Sequence, residues 1–318
     1  MPGRATHGPR KAVVDCCDGG AILSITTLIA EGRVAERLDA LIPVYTRTHH
    51  LPVLVERTSA NASLIGTAFD YALRIEMQAR YRHAEVEGWV AEHSAALLAR
   101  FPFLISSRPV KGVAERALRV VEQAKAFVRR HVALRRPLEE VAAHAVRLAK
   151  LDPVLRAHYF DPTFARADKV AVREVVSLLQ NAPFDLLSHP AVLKLNPTFG
   201  QYSIQVGGAD ADILAGDRII DVKVRSRACV ERAMVRQLIG YAMLANSVHK
   251  FDGSIQRPRE VCIYFARHGF LWSMPTQRIF GHPAYEKTER WLVGGALISR
   301  KARATRDSRL VNGRPARS

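Results

Sequence analysis

A short acidic stretch in the second half of the chain carries the residues best suited to chemistry. Residues 207–223 read GGADADILAGDRIIDVK. Two β-prone runs flank Gly216 and Asp217, and a Gly-Asp pair between hydrophobic runs is a hairpin signal. With these two residues in the loop, antiparallel pairing predicts that Leu214 lies opposite Ile219.

The same register predicts two pairs of charged side chains. Asp212 is expected opposite Asp221, and Asp210 opposite Lys223. Because side chains alternate between faces, all four are expected on one face of the hairpin. The other face is predicted to be apolar, with Ala211, Ile213, Ile220 and Val222. Like charges directly opposite each other destabilise a sheet, so a cation is expected between the carboxylates.

A divalent cation is the simplest way to neutralise such a cluster. Magnesium prefers carboxylate oxygens, and a site with two or three protein carboxylates leaves positions for water and substrate phosphates. The alternative is an exposed hairpin whose charges are solvated, with Lys223 neutralising one aspartate.

Helices on both sides of the hairpin in the sequence could bring further groups to it. Apolar spacing predicts a helix at Ser63–Tyr81, with Ser63 as N-cap and Asp70 within it. Downstream, Val230–Asn246 is predicted to be helical. Gln237 and Tyr241 are four residues apart there and share a face.

The remaining segments predict a mixed α/β architecture. Helices dominate residues 85–150, and a helix at 166–179 contains Glu174 as a candidate inward carboxylate. The other expected elements are a helix over residues 21–45, a strand at Phe199–Val206, a hairpin of Glu260–Ala266 and Phe270–Met274, and a helix at Pro283–Ile298. This mixture predicts an α/β or α+β fold with a helical insertion.

Composition narrows the class of partner. The 318 residues contain 47 Lys and Arg against 30 Asp and Glu, a formal charge of +17, which favours a polyanion such as nucleic acid. No apolar run of 18 residues occurs, so no membrane partner is expected. The four cysteines, Cys16, Cys17, Cys229 and Cys262, fit neither a zinc ribbon nor a disulfide framework, which indicates a reduced, cytoplasmic protein.

These motifs together resemble the PD-(D/E)XK nuclease superfamily, in particular its RecB-like branch, which has many bacterial members. Asp212 facing Asp221-Val222-Lys223 is similar to the nuclease hairpin, and Gln237-x-x-x-Tyr241 to the branch's Gln-x-x-x-Tyr motif. Gly207-Gly-Ala-Asp210 matches the Gly-x-x-Asp of the first strand.

An upstream motif extends the resemblance. Gly66-Thr67-Ala68-Phe69-Asp70 is similar to the branch's Gly-Thr helix, with aspartate in place of the usual histidine. The resemblance implies a metal ligand on the first strand, for which Asp212 is favoured by its position opposite Asp221 and Asp210 is the alternative, and an upstream acid, which is Asp70 or Glu174. The cysteines do not reproduce the iron–sulfur arrangement of some relatives, so no iron–sulfur cluster is expected.

The resemblance implies a restriction-endonuclease-like core, a small mixed sheet flanked by helices, with a large helical insertion. It implies one nuclease-like domain over residues 21–298, with core motifs at 63–81 and 199–275 and an insertion at about 82–195. Residues 1–20 and 299–318 are expected to be flexible basic termini.

The implied activity is hydrolysis of nucleic-acid phosphodiester bonds, with DNA as the expected substrate and Mg²⁺ or Mn²⁺ as cofactor. Asp212 and Asp221 would bind the metal, assisted by the Val222 carbonyl. Lys223 would orient or deprotonate the attacking water, and Gln237 and Tyr241 would position the lysine or contact the nucleic acid. No ATPase motif occurs, so a helicase would be a separate partner, and self-association is left open. The alternatives are a noncatalytic nucleic-acid-binding or interaction protein on the same fold and a metal-free helical scaffold with a chance motif.

Overall fold

The structure is a computed structural model that describes residues 24–41, 47–101, 112–157 and 159–294. Its helices are α1 (Ile25–Ile29), α2 (Gly32–Asp39), α3 (Ala62–Arg80), α4 (Val90–Arg100), α5 (Val113–Leu134), α6 (Leu138–Ala149), α7 (Asp152–Ala157), α8 (Lys169–Gln180), α9 (Gln201–Gln205), α10 (Arg232–Phe251), α11 (Gln277–Phe280) and α12 (285–294). Its strands are β1 (Arg47–His49), β2 (Glu85–Val86), β3 (Leu193–Leu195), β4 (Ile213–Ala215), β5 (Arg218–Lys223), β6 (Ala228–Val230), β7 (Glu260–Phe265) and β8 (Phe270–Pro275).

The main sheet is mixed and is flanked by helices. Its strand order is β2-β3-β4-β5-β7-β8. The pairs β3–β4, β4–β5 and β7–β8 are antiparallel, whereas β2–β3 and β5–β7 are parallel. The parallel pair β5–β7 requires a crossover connection, and α10 lies within it. A separate two-stranded sheet pairs β1 with β6.

Both faces of this sheet are buried, each under its own helical layer. Ile213, Ile220 and Tyr264 pack with the buried residues of α3, α5, α6 and α8. Leu214 and Ile219 pack on the opposite side with α1, α2 and α10. Because the side chains alternate along each strand, the central hairpin contributes to two hydrophobic cores at once.

The hairpin register predicted from the sequence is confirmed. Leu214 pairs with Ile219, and Ile213 with Ile220, on either side of a two-residue loop. Gly216 in that loop has a φ of 62°, and a Cβ there would lie 2.7 Å from the His189 ring. Only glycine combines this backbone conformation with so close an approach.

The helix that carries Asp70 forms nearly as predicted. It spans Ala62–Arg80, and the side chain of Asn61, rather than Ser63, accepts the capping hydrogen bond, from the Leu64 N–H at 3.0 Å. The predicted hairpin of β7 and β8 is also present. Within the described residues, no helix combines the length and apolar character needed to cross a bilayer.

Three expected elements differ from the structure. One helix was expected over residues 21–45, but its described residues, 24–41, form the two short helices α1 and α2. Phe199–Val206 was expected as a strand, but the segment contains α9, because Phe199, Ser203 and Val206 turn inward at helical rather than alternating spacing. The segment 82–195 was expected to be a helical insertion, but it also contains β2 and β3 of the main sheet. The two predicted flexible termini and residues 295–298 of the last predicted helix lie outside the described residues.

Candidate active site

Two hairpin aspartates meet where the β4–β5 ladder ends. Asp221 lies in β5 and is buried, and Asp212 immediately precedes β4. The Val222 N–H donates a hydrogen bond to Asp212 Oδ2 at 2.6 Å. Since Ile213 pairs with Ile220, Asp212 and Asp221 occupy the next positions of the same register. The hairpin therefore brings together two carboxylates, as the sequence predicted.

The two carboxylates disfavour each other's ionised form. Burial, followed by the charges of Asp221 and Asp70, raises the pKa of Asp212 well above its ordinary value. Burial also raises the pKa of Asp221, against the opposing charge of Lys223. A site of this kind is stabilised by taking up a proton or a cation.

Lys223 is held by a chain of polar contacts that ends on α10. Its Nζ lies 2.7 Å from Asp221 Oδ2 and donates to Gln237 Oε1 at 3.3 Å. Gln237 Nε2 in turn donates to the Tyr241 hydroxyl at 2.8 Å. Burial and the charges of Asp221 and Asp212 raise the pKa of Tyr241 well above its ordinary value. Tyr241 therefore stays protonated, and the hydrogen bonds through Gln237 to Tyr241 fix the position of the Lys223 side chain.

The ammonium of Lys223 is protonated in this arrangement. Burial works to lower its pKa, but the carboxylates of Asp221 and Asp212 outweigh that effect and raise it. A lysine with a raised pKa is a hydrogen-bond donor and a positive charge rather than a proton acceptor. Of the two roles predicted for Lys223, orientation and charge stabilisation fit the geometry better than deprotonation of water.

Asp70 of α3 reaches the same cluster from the opposite helical layer. Its charge contributes to the raised pKa of Asp212, so the two carboxylates are within Coulombic range. Arg74, one helical turn later, forms a salt bridge with Asp70 Oδ2. Burial raises the pKa of Asp70, and Arg74 opposes that shift. Asp70 is therefore near the hairpin acids but already has a cationic partner.

Asp210 does not occupy the position predicted for it. It forms an isolated antiparallel bridge with Thr198 instead of pairing with Lys223, because the chain leaves the β4–β5 ladder before Ile213. Its carboxylate is 42% exposed and lies 4.0 Å from Nη2 of Arg156. Of the two alternatives on the first strand, the geometry favours Asp212.

Glu174, the other upstream candidate, is engaged elsewhere. Its Oε1 forms a buried salt bridge with Arg267. Its Oε2 accepts hydrogen bonds from Thr58 N at 2.9 Å, Thr58 Oγ1 at 2.8 Å and Ser59 N at 2.6 Å. Burial opposes ionisation, but the hydrogen bonds from Arg267, Ser59 and Thr58 hold the pKa of Glu174 below its ordinary value. Both oxygens are occupied, so the geometry favours Asp70 as the upstream acid.

Substitution Glu174→Gln is expected to destabilise the fold without changing any metal requirement. Breaking a buried ion pair from one side leaves Arg267 uncompensated and costs about 3 kcal/mol. Thermal unfolding should show a lower Tm, and Mg²⁺ titration of activity at a temperature where the variant is folded should match the wild type. A wild-type Tm combined with a raised Mg²⁺ requirement would instead assign Glu174 to the metal.

Sequence reasoning missed a second polar cluster behind Asp70. Tyr71 donates to Asp152 Oδ1 at 2.7 Å and accepts from the Ala91 N–H at 3.0 Å. The guanidinium of Arg74 lies over the Tyr71 ring, 4.7 Å from its centroid. Arg156 lies 3.9 Å from Asp152 Oδ2. Asp70 with Arg74 and Asp152 with Arg156 each have the four-residue spacing of a helical ion pair, which was a visible signal, but no spacing in the sequence indicated that the two pairs lie together.

Asp152 is expected to make the stability of the protein pH-dependent. Burial raises its pKa from 3.8 to about 6, against the opposing hydrogen bond from Tyr71. Between these values the folded protein binds more protons than the unfolded chain, so stability falls as pH rises. The change in the free energy of unfolding between pH 4 and pH 7, measured by urea unfolding, should differ between wild type and Asp152→Asn by about 2 kcal/mol. Parallel pH profiles would contradict the assignment.

The donor set suits a hard divalent cation that keeps much of its water. Among the described residues, no three His, Cys, Asp or Glu side chains are close enough together to form a ready metal cluster. The pair Asp212 and Asp221 supplies carboxylate oxygens, and burial raises the pKa of both groups. Magnesium binds through one or two carboxylates plus water and substrate phosphates, so this pair fits Mg²⁺ or Mn²⁺.

Comparison with protein-family models, with curated proteins and with solved structures returns no match to this chain.

Proposed function

We propose that this protein is a metal-dependent nuclease that hydrolyses phosphodiester bonds of DNA. The observation that carries the proposal is the pairing of Asp212 with the buried Asp221 beside the ammonium of Lys223. Two acids and a lysine are expensive to place together unless a cation and an anionic substrate complete the site. The formal charge of +17 supports a polyanionic substrate.

The arrangement of elements supports a restriction-endonuclease-like core. The acidic hairpin β4–β5 lies at the centre of a mixed sheet. α3 covers one face, and α10, in the crossover from β5 to β7, covers the other. Asp70 comes from α3, and Gln237 and Tyr241 come from α10. This is the order of motifs in the RecB-like branch.

In the proposed mechanism Asp212 and Asp221 would hold Mg²⁺, and the Val222 carbonyl and Asp70 would be the further candidate ligands. Bound Mg²⁺ supplies a water of lowered pKa and neutralises charge on the scissile phosphate. Asp70 could bind the metal only if its salt bridge with Arg74 were broken.

Lys223 would stabilise the charge that develops on the phosphate as hydroxide, formed from water by loss of a proton to solvent, attacks phosphorus, and the leaving oxygen departs and takes a proton from solvent. Its ammonium is a fixed donor, because Asp221 and Gln237 hold it on the face of α10. A donor held in place before the reaction loses little energy to reorganisation in the transition state. Tyr241 acts through Gln237 as a positioning residue.

One observation favours a second candidate, a noncatalytic DNA-binding protein on the same fold. Asp70 stands where the resemblance leads one to expect a histidine, and its carboxylate is paired with Arg74. If that pair is permanent, the site retains only two carboxylates.

A cleavage assay separates the two candidates. Linear, circular and single-stranded DNA are incubated with the full chain in Mg²⁺, in Mn²⁺ and in EDTA. The nuclease is expected to cleave at least one of these substrates in metal and none in EDTA. DNA binding without cleavage in either metal would support the noncatalytic candidate and overturn the nuclease.

A further inference from the structure

Arg156 is a cation beside the acidic cluster of Asp70, Asp152, Asp210, Asp212 and Asp221. It lies on α7, in the segment between α3 and β4, and its side chain is 62% exposed. Its guanidinium is 3.9 Å from Asp152 and 4.0 Å from Asp210. Both distances exceed a hydrogen bond, so charge attraction alone orients the group. Among the described residues, none accepts a hydrogen bond from it.

The other two cations of the cluster are already engaged. Arg74 is buried and paired with Asp70, and Lys223 contacts Asp221 and Gln237. The cluster also contains Asp152, Asp210 and Asp212, so its acids outnumber its cations. The side chain of Arg156 is 62% exposed, so a phosphate approaching this cluster from solvent would meet its positive charge.

We propose that Arg156 binds a backbone phosphate of DNA next to the scissile one. This inference rests on the proposed nuclease function and adds a subsite to it. The planar guanidinium fork matches two phosphate oxygens and is weakly hydrated, so it forms stronger and more specific contacts with phosphate than an ammonium does. The helical segment before β4 thereby provides one wall of the DNA site, across the acidic hairpin from α10.

Arg259, which immediately precedes β7, offers a matched control. It is also exposed and also held by a long ion pair, 3.5 Å from Asp217 Oδ2. Asp217 is in the hairpin loop, at the end of β5 opposite Lys223. A strand of six residues spans about 20 Å, so Arg259→Ala removes the same charge far from the acidic cluster.

Binding of a fluorescein-labelled 20-base-pair DNA duplex tests the inference, measured by anisotropy in EDTA over a series of NaCl concentrations. Arg156→Ala is expected to weaken binding about tenfold and to reduce the slope of log Kd against log salt concentration by about one. Arg156→Lys should keep the slope and lose part of the affinity. Arg259→Ala should match the wild type in both. Thermal melting confirms that each variant is folded, and Arg156→Gln replaces the alanine variant if that variant melts early.

Cleavage kinetics give an independent measure on the same variants. Loss of a substrate contact should raise KM with little change in kcat. Equal Kd values and salt slopes for Arg156→Ala and Arg259→Ala, or no DNA binding by the wild type, would overturn the inference. A wild type that binds DNA through Arg156 but never cleaves would refute the nuclease and leave the phosphate contact standing.

Discussion

Substitution of Lys223 by methionine is expected to lower the rate of Mg²⁺-dependent DNA cleavage by about a thousandfold. The reason is geometric and electrostatic. Lys223 Nζ is 2.7 Å from Asp221 Oδ2 and 3.3 Å from Gln237 Oε1. These two contacts hold its positive charge beside the carboxylates of Asp212 and Asp221. Methionine keeps most of the side-chain volume but neither the charge nor the donors. Single-turnover cleavage of a short duplex measures the effect.

Lys194→Met provides a closely matched control for Lys223→Met. Lys194 is on β3 of the same sheet, 24% exposed against 23% for Lys223, and lies 3.6 Å from Glu85. The control should cleave at the wild-type rate. Equal rates for Lys223→Met and Lys194→Met, with both variants folded by circular dichroism, would remove Lys223 from the mechanism.

Asp212→Asn is expected to abolish cleavage and at the same time to stabilise the metal-free protein. Asparagine can still accept the hydrogen bond from the Val222 N–H, which is 2.6 Å long in the wild type. It also removes the negative charge that burial and Asp221 disfavour, which should raise the free energy of unfolding by about 1 kcal/mol. Gains of this kind are common when a functional residue is replaced. Thermal unfolding in EDTA should show a higher Tm, and added Mg²⁺ should raise the Tm of the wild type only.

The sign of the pH dependence follows from the same carboxyl. The pKa of Asp212 is raised above its ordinary 3.8, so the folded state binds the proton more tightly than the unfolded chain. Stability of the metal-free wild type should therefore fall as pH rises above about 4, and this fall should be smaller in Asp212→Asn. Asp210→Asn distinguishes the two candidate ligands. Asp210 lies outside the β4–β5 ladder, so Mg²⁺ should still raise the Tm of the Asp210→Asn variant. If Asp210→Asn loses that stabilisation and Asp212→Asn keeps it, the assignment is reversed.

The hairpin could be predicted from the sequence because its determinants are local. A two-residue loop fixes the register, and the alternation of residues 211–224 fixes which side chains share a face. α3 and the β7–β8 hairpin were predictable for the same reason, from the helical spacing of apolar residues in one and from a short connection in the other. Asp212 and Asp221 followed directly from the register.

Elements whose form depends on distant partners were harder to predict. β2 has two residues and β3 has three, and their pairing joins segments more than a hundred residues apart. Such short parallel pairs have no local pattern. α9 is short, and the hydroxyl of Ser203 stabilises it by accepting from the Phe199 N–H at 2.8 Å. That contact cannot be seen in an apolar alternation.

Only the residues around Lys223 could be placed in the site from the sequence. Lys223, Gln237 and Tyr241 are near in sequence, and the four-residue helical spacing of the last two brings them together. Arg156 reaches Asp210 from a helix more than fifty residues earlier. That contact depends on how the helical layer packs on the sheet, and no spacing in the sequence encodes it.

The most direct test of the central claim is the single-turnover rate of DNA cleavage as a function of Mg²⁺ concentration, for wild type and Asp221→Asn side by side. Asp221 is buried and contacts Lys223, so the substitution removes both the proposed metal ligand and the anchor of the lysine. Wild-type cleavage is predicted to rise with Mg²⁺ and to stop in EDTA, and the variant is predicted not to cleave at any Mg²⁺ concentration. Cleavage by Asp221→Asn at the wild-type rate, or none by the wild type, would contradict the account.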